Sequence, residues 1–145
     1  MIELAAERMA AVMGADLLAR GPGGHPVRAA IDSREITWGE LFFGLTGGAD
    51  DGGRFARTAL ESGAWGVVVE HARAGELEDV EGWMFTSEDP LRSLQMLARA
   101  WRRELGATVI GITGSVGKTS VKDITAAILP GEVNASAENF NTEIG

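Results

Sequence analysis

One segment constrains this chain more than any other: a β-branched run is followed by a glycine-bounded turn and then by a lysine that opens a helix. Residues 108–112 are rich in Thr, Val and Ile, which is typical of a buried parallel strand. Gly114 and Gly117 bound the turn, and glycine permits backbone angles and close approaches that a side chain forbids. Because the N–H groups of such a turn and of a helix start can point at an anion, the segment predicts a phosphate-binding loop.

The side chains after the turn fit the same interpretation. Lys118 would place its charge on the β- and γ-phosphates of a nucleotide, and the Thr119 hydroxyl would bind Mg²⁺. The chain has 13 lysines and arginines, yet its only lysines are Lys118 and Lys122, both in this segment. The loop departs from the strict Walker A pattern, because Ile112 stands where that pattern has its first glycine. The alternative is an ordinary glycine-rich turn with an incidental lysine.

Composition limits the class of protein. The 145 residues allow one domain, or one small domain and part of another, and 45% hydrophobic with 23% charged residues is ordinary for a globular chain. There is no cysteine, no signal-peptide pattern and no apolar run approaching the roughly 20 residues of a membrane helix, so we expect a cytoplasmic protein without a membrane partner. The net charge of −8 argues against a nucleic-acid partner, which would need a basic face.

Strands alternate with helices along the chain, which indicates an α/β architecture. We predict helices over residues 3–13, 54–62, 90–105 and 118–129, and strands over 27–31, 41–43, 65–69, 83–86 and 108–112. A boundary near residue 87 would separate a small α/β domain, residues 1–86, from the start of a doubly wound P-loop domain, residues 87–145. The second domain is expected to be incomplete, because too few residues follow the loop for the several parallel strands of such a fold.

Further motifs lie on both sides of the predicted loop. They are Asp32-Ser33-Arg34, the run from Trp38 to Leu45, Asp51-Gly52 with Phe55, residues 63–69, residues 111–122 and the run from Asn139 to Gly145. Together they resemble the N-terminal portion of the Mur ligase family, and its MurF type most closely. Two departures are Thr142, where the family usually has asparagine, and Thr46, near which it often has lysine.

The resemblance implies an ATP-dependent ligase of peptidoglycan synthesis, which adds D-alanyl-D-alanine to UDP-N-acetylmuramoyl-tripeptide through an acyl phosphate. It implies that the first domain binds the UDP-sugar substrate through Ser33 and Arg34, although Asp32 and Arg34 could instead form a plain surface ion pair. It implies that the second domain binds ATP and Mg²⁺, with Lys118 catalytic and Thr119 as the Mg²⁺ ligand. The ATP-binding residues would be Gly114, Ser115, Val116, Gly117, Lys118, Thr119, Ser120, Asn139 and Asn141. The two asparagines could equally be ordinary turn residues.

Later parts of the family pattern are missing from these residues, namely the acidic Mg²⁺ ligand, the adenine-binding segment and the C-terminal domain. We therefore expect the N-terminal fragment of a longer ligase, inactive alone. The rival interpretations are another Mur-family ligase, adding diaminopimelate or lysine or resembling cyanophycin synthetase, and a non-catalytic nucleotide- or UDP-sugar-binding module. His25 and His71 are interpreted as surface residues, because no triad or metal pattern surrounds them.

Overall fold

The computed structural model describes residues 4–47 and 51–136. The chain forms two compact units, which divide after Gly106. Among the described residues, the first unit holds a five-stranded sheet with three α-helices and the second holds one α-helix. The predicted α/β class is confirmed.

Most elements lie where the sequence pattern predicts them, with bounds that differ by a few residues. The helices are α1 Ala6–Met13, α2 Ala56–Glu61, α3 Pro90–Leu105 and α4 Lys118–Ile128. The strands are β1 Asp16–Ala19, β2 Ala29–Ala30, β3 Leu41–Phe43, β4 Gly66–Glu70 and β5 Trp83–Ser87, and 3-10 turns cover Ser33–Glu35, Gly52–Phe55 and His71–Leu77. Across the described ranges, no helix combines the length and the apolar character needed to cross a membrane.

The sheet is parallel except at one edge. Its order is β1-β5-β4-β3-β2, with β2 to β5 parallel to their neighbours and β1 antiparallel to β5. The register between β4 and β5 runs from Gly66 opposite Trp83 to Glu70 opposite Ser87. Because parallel strands end at the same side of a sheet, the residues that follow β2, β3, β4 and β5 lie along one carboxyl edge.

Apolar layers cover both faces of the sheet, because successive side chains of a strand point to opposite sides. On β3, Leu41 and Phe43 belong to the cluster that includes α1 and α3, whereas Phe42 belongs to the cluster that includes α2. On β4, Val68 joins the first cluster while the valines on either side of it join the second. Burial on both faces explains why these strands are continuous apolar runs in the sequence.

Helix α3 has the start and the end that its sequence predicts. The Asp89 carboxylate accepts a hydrogen bond of 3.0 Å from the backbone N–H of Arg92, and Pro90 occupies the first turn. Gly106 ends the helix in the left-handed conformation, with φ of 61°. The cap and the stop are local interactions, so the helix bounds could be predicted from sequence.

The unit boundary differs from the predicted one. The sequence pattern predicts a boundary near residue 87, which would assign α3 to the second domain, whereas the structure divides the chain after Gly106. Leu97 of α3 is buried in the cluster that includes α1, and the Ser93 hydroxyl lies 3.0 Å from the Met13 carbonyl oxygen at the end of α1. An amphipathic stripe shows that a helix has a buried face but does not show which neighbour covers it.

The strand predicted over residues 108–112 is not formed. Residues 107–114 contain no regular element, and Val109 and Ile110 are more than half exposed. A strand needs a neighbour to satisfy its backbone N–H and C=O groups. The described part of the second unit, residues 107–136, contains no such neighbour.

Smaller differences also follow from non-local pairing. Strand β1 was not predicted, because its short segment depends on antiparallel pairing with β5 rather than on a pattern of its own. The strand predicted over 27–31 is reduced to Ala29–Ala30, the part that pairs with β3. The helix predicted over 54–62 begins instead as the 3-10 turn Gly52–Phe55, which leads into α2.

A buried carboxylate ties together the segments that enter β2 and β3. Glu40, only 1% exposed, accepts hydrogen bonds from the Thr37 N–H at 3.0 Å, from the Thr37 hydroxyl at 2.6 Å and from Nε of Arg28. Burial raises the pKa of Glu40, but the hydrogen bonds from Thr37 and Arg28 together outweigh burial and hold the pKa below its ordinary value. The charged form of Glu40 therefore stabilises the fold.

We expect Glu40→Gln to lower the free energy of unfolding by about 2 kcal/mol. The substitution replaces a charged acceptor by an amide, whose NH₂ group would face the donors of Thr37 and Arg28. Urea denaturation followed by circular dichroism measures the change. Glu78→Gln is the matched control, since Glu78 is exposed, and it should change the free energy of unfolding by no more than about 0.5 kcal/mol.

The same variant tests the pKa. Because the pKa of Glu40 is lower in the folded than in the unfolded state, its stabilisation is complete above the ordinary value near 4.5 and is lost as the pH falls through the folded value. The difference in stability between the parent chain and Glu40→Gln should therefore shrink as the pH falls below 4.5. A difference that grows on acidification would contradict this assignment.

Candidate nucleotide-binding site

The turn before α4 has the backbone form that the sequence predicts. Gly114 and Gly117 both have positive φ, at 151° and 81°, a region that residues with side chains rarely adopt. Gly117 is the N-cap residue of α4 and, having no side chain, makes no side-chain cap to the helix. The first helical bond after the turn runs from the N–H of Val121 to the carbonyl of Gly117 at 3.0 Å. The helix start is thus open to an anion, as in phosphate-binding loops.

Lys118 lies across this turn. Its ammonium donates a hydrogen bond of 2.7 Å to the carbonyl oxygen of Gly114, so the amine is folded over the loop rather than extended away from it. Val116, at the tip of the turn, is 90% exposed. An ammonium has three donors, so the bond to Gly114 leaves two for a ligand. Ser115, Thr119 and Ser120 complete the predicted set at this helix start.

The second lysine, Lys122, makes contacts away from the turn. Nζ of Lys122 donates to the carbonyl oxygen of Ser136 at 2.9 Å and lies 3.4 Å from the carboxylate of Asp123. The side chain is 22% exposed, so it is not the freely solvated surface lysine that its position one turn after the loop suggests. Lys122 ties the segment after α4 back to the helix. Asn139 and Asn141, predicted to lie near the γ-phosphate, fall outside the described residues.

Metal ligands are sparse around the loop. No group of three or more His, Cys, Asp or Glu side chains able to hold a metal occurs within 4–47 and 51–136. The Thr119 hydroxyl alone cannot make a metal site. It can serve as one ligand of a Mg²⁺ ion that keeps several waters and takes its other ligands from phosphates.

The remaining predicted site residues within the described ranges belong to the first unit. Ser33 and Arg34 belong to the 3-10 turn Ser33–Glu35, which follows β2 after Ile31 and Asp32, on the carboxyl side of the strand. The Arg34 guanidinium is held by Asp32 through two hydrogen bonds, at 2.9 Å and 2.5 Å, and the N–H of Arg34 also donates to Asp32 at 3.0 Å. This is the surface ion pair left open as the alternative. It uses two of the five guanidinium N–H donors.

Both members of the pair stay charged over the whole physiological pH range. The side-chain and backbone hydrogen bonds from Arg34 hold the pKa of Asp32 at about 2, well below its ordinary value. The hydrogen bond from the Asp32 carboxylate in turn raises the pKa of Arg34. Arg34 is nevertheless 85% exposed, so its remaining donors can reach a ligand in solvent.

Sequence reasoning missed a group of polar residues at the same carboxyl edge. His71 was interpreted as an ordinary surface residue, but its Nδ1 lies 3.0 Å from Oγ1 of Thr86. The Thr46 hydroxyl donates to the Glu70 carboxylate at 2.5 Å. Their position in the sequence could have indicated them. These residues end or follow three consecutive parallel strands, and the carboxyl ends of parallel strands meet at one edge of a sheet.

No family model matches the chain. The chain is 40% identical over 116 residues to the UDP-N-acetylmuramoyl-tripeptide–D-alanyl-D-alanine ligase of Synechocystis sp., an alignment that covers 79% of this chain and 25% of that ligase. MurF from Acinetobacter baumannii is similar in structure, with a TM-score of 0.71, 26% identity and coverage of 88% of this chain and 28% of that one. MurF ligase from Thermotoga maritima in complex with ADP gives a TM-score of 0.56, 33% identity and coverage of 67% and 22%.

The chain spans about a quarter of the length of the curated relatives that it matches first. Over that length, sequence and structure agree with the resemblance carried by the motifs. The chain belongs to the Mur ligase family and is of its MurF type.

Proposed function

We propose that this chain supplies the substrate-binding and phosphate-loop parts of an ATP-dependent ligase that joins D-alanyl-D-alanine to UDP-N-acetylmuramoyl-tripeptide. The observation that supports it most is the open start of α4, bounded by two positive-φ glycines and crossed by Lys118, in a chain 40% identical to a ligase of that name. The first unit would bind the UDP-sugar peptide and the second would bind ATP. We place the reaction in the cytoplasm and in peptidoglycan synthesis.

The donor set of the second unit fits a polyphosphate. Backbone N–H groups from residues 114–120 provide neutral donors with a partial positive charge, and Lys118 adds a full one. The relative from Thermotoga maritima is described in complex with ADP, which supports an adenine nucleotide as the ligand. On binding, the Lys118 ammonium would keep or exchange its bond to the Gly114 carbonyl and direct its free donors to the β- and γ-phosphates. Asn139 and Asn141 are proposed to lie near the γ-phosphate.

Mg²⁺ is proposed as the second cofactor, with Thr119 as its ligand from this chain. When bound, the ion neutralises charge on the β- and γ-phosphates. Because the described residues offer no carboxylate cluster for it, the phosphates and water would supply most of its ligands.

The chemistry asked of this chain is positioning and charge neutralisation. In the proposed reaction the terminal carboxylate of the tripeptide attacks the γ-phosphorus of ATP, giving an acyl phosphate and ADP, and the amine of D-alanyl-D-alanine then displaces phosphate. Lys118 would stabilise the charge on the phosphate oxygens during the first step, and the helix-start amides would hold the phosphates in line. Arg34 would hold the diphosphate of the UDP-sugar through a bidentate guanidinium contact.

We expect Lys118→Ala to weaken ADP binding by roughly tenfold or more, because a charge-assisted hydrogen bond to phosphate is lost. Isothermal titration of the 145-residue chain measures the affinity. Arg102→Ala is the control, because it removes one positive charge from an exposed position of α3 in the first unit. Equal weakening by both substitutions would mean that only the general positive charge matters.

Arg34→Gln is expected to weaken UDP binding by roughly tenfold, because an amide cannot replace the guanidinium fork on phosphate oxygens. Arg20→Gln is the control, since Arg20 forms a similarly exposed ion pair with Glu7 at 2.7 Å but does not follow a parallel strand. Titration with UDP separates the two variants. An unchanged affinity in Arg34→Gln would leave the pair with Asp32 as a purely structural contact.

The 145-residue chain alone is expected to give no ligation, since it spans only about a quarter of the length of the ligases it resembles. Phosphate release from ATP, with UDP-N-acetylmuramoyl-tripeptide and D-alanyl-D-alanine present, is the measurement, and the full-length relative from Synechocystis sp. is the positive control. Turnover by the isolated chain would show that these residues hold a complete active site.

A further inference from the structure

Helix α3 carries four arginines that are not paired within the described part of the chain. Of the 13 lysines and arginines, two are lysines, which leaves eleven arginines. Six of them form ion pairs in the first unit, namely Arg8, Arg20, Arg28, Arg34, Arg57 and Arg73. By contrast, no ion pair with residues 4–47 or 51–136 is formed by the four exposed arginines of α3, which are Arg92, Arg99, Arg102 and Arg103. Unpaired positive charge is thus concentrated on one helix of a chain whose net charge is −8.

The stability of the helix explains only part of this arrangement. Arg102 and Arg103 lie in the last turn, where a positive charge suits the negative end of the helix dipole. Arg92 lies in the first turn, where a positive charge opposes the dipole. Arg99 and Arg103 are four residues apart, and like charges at that spacing destabilise a helix. The only carboxylate within α3, that of Glu104, is bonded to Arg8 of α1. The arginines therefore cost helix stability that no ion pair in the described ranges returns.

The exposed side chains of α3 have the spacing of a row that packs against another helix. Arg92, Met96, Arg99 and Arg103 follow one another at intervals of four, three and four residues. At 3.6 residues per turn these intervals keep the four side chains within about 60° of one another, along about 16 Å of the helix. The row lies on the side of α3 turned away from Leu97, which is 1% exposed in the core. Alternating steps of three and four residues are what let one helix pack along another.

The chemistry of the row indicates carboxylates as its partners. A guanidinium can bind both oxygens of one carboxylate, and arginine and methionine are both enriched in protein interfaces. Met96 is 38% exposed and lies between Arg92 and Arg99, so it offers an apolar contact inside the charged row. A helix with acidic side chains opposite the arginines and an apolar side chain opposite Met96 would complement the row in both charge and spacing.

Two other polyanions fit the row less well. A helix that lies in a membrane surface inserts its apolar face, whereas the apolar face of α3, with Leu94, Leu97 and Trp101, packs into the core of the first unit. Nucleic acid requires a broad basic face, and the net charge of −8 opposes it. A single row on one helix is better matched by a second helix.

We propose that the row formed by Arg92, Met96, Arg99 and Arg103 is a docking surface for an acidic helix of a partner protein. Carboxylates of that helix would pair with the three arginines, and an apolar side chain would cover Met96. Arg102 lies beside the row and would strengthen its positive field. The proposal does not depend on the ligand of either unit.

Two synthetic alanine-rich helical peptides test the proposal. One carries glutamate opposite each arginine of the row and leucine opposite Met96, and the other has glutamine in place of every glutamate. Proton–nitrogen correlation spectra of the nitrogen-15-labelled 145-residue chain are recorded during titration with each peptide. We expect the glutamate peptide to shift the signals of α3, including the side-chain Nε–H signals of its arginines, and the glutamine peptide to leave them in place. Because the contacts are between charges, affinity should fall at least threefold between about 0.1 M and about 1 M salt.

Variants of one arginine provide the second measurement. Arg99→Gln, in the row, should weaken binding of the glutamate peptide by roughly fivefold, because one ion pair is lost. Arg99→Lys should lose less, since it keeps the charge but not the guanidinium fork. Arg20→Gln is the matched control, because Arg20 is an exposed arginine of the first unit outside α3, and it should leave the affinity within about twofold. Circular dichroism confirms that each variant is folded.

Four results would overturn the docking surface. They are a glutamate peptide that leaves the α3 signals in place, a glutamine peptide that binds equally well, equal weakening by Arg99→Gln and Arg20→Gln, and binding to a membrane through the same row. The last is tested with vesicles of equal parts phosphatidylcholine and phosphatidylglycerol. Sedimentation of the chain with these vesicles, lost in Arg99→Gln, would assign the row to an anionic bilayer instead of a protein helix.

Discussion

Parallel pairing of β2, β3, β4 and β5 is the constraint on which the rest of the first unit depends. Central strands buried on both faces leave no position for polar side chains except near their ends, which is why Phe42-Phe43 and Val67-Val68-Val69 are uninterrupted apolar runs. The polar residues that follow the strands then share one edge because all four strands run the same way. Topology places Arg34, Thr46, Glu70 and His71 along this one edge, although 37 positions separate the first from the last.

Local interactions were the part of the fold that sequence could predict. Asp89, Pro90 and Gly106 fix the ends of α3 through a side-chain cap, a favourable φ and a left-handed stop, all within a few residues of the helix. Non-local choices were not predictable in the same way. The sequence of β1 does not reveal its pairing with β5. The apolar stripe of α3 does not show that α1 covers it. The apolar run at 108–112 has no partner strand in the described part of its unit.

The candidate sites show the same difference between local and non-local interactions. The turn at Gly114 to Lys118 is local: both glycines adopt a positive φ, as glycines of such a turn can, and Lys118 folds back over the turn. The ring of His71 is oriented by Thr86, which is distant in sequence and adjacent only because β4 and β5 pair in register. No pattern in one sequence marks that contact, so His71 looked like any exposed histidine.

In the proposed function, where Arg34 binds a diphosphate, the bond between Asp32 and Arg34 has a consequence for selectivity. Their carboxylate and guanidinium are two residues apart, so the anion is present at a high effective concentration and stays ionised at every physiological pH. An incoming anion must compete with this tethered one. A singly charged ligand would give the Arg34 guanidinium no more charge than the Asp32 carboxylate already gives it. A diphosphate carries more negative charge and more acceptor oxygens. In that function the Asp32 carboxylate would act as a built-in competitor, which would disfavour the binding of weakly charged anions to Arg34.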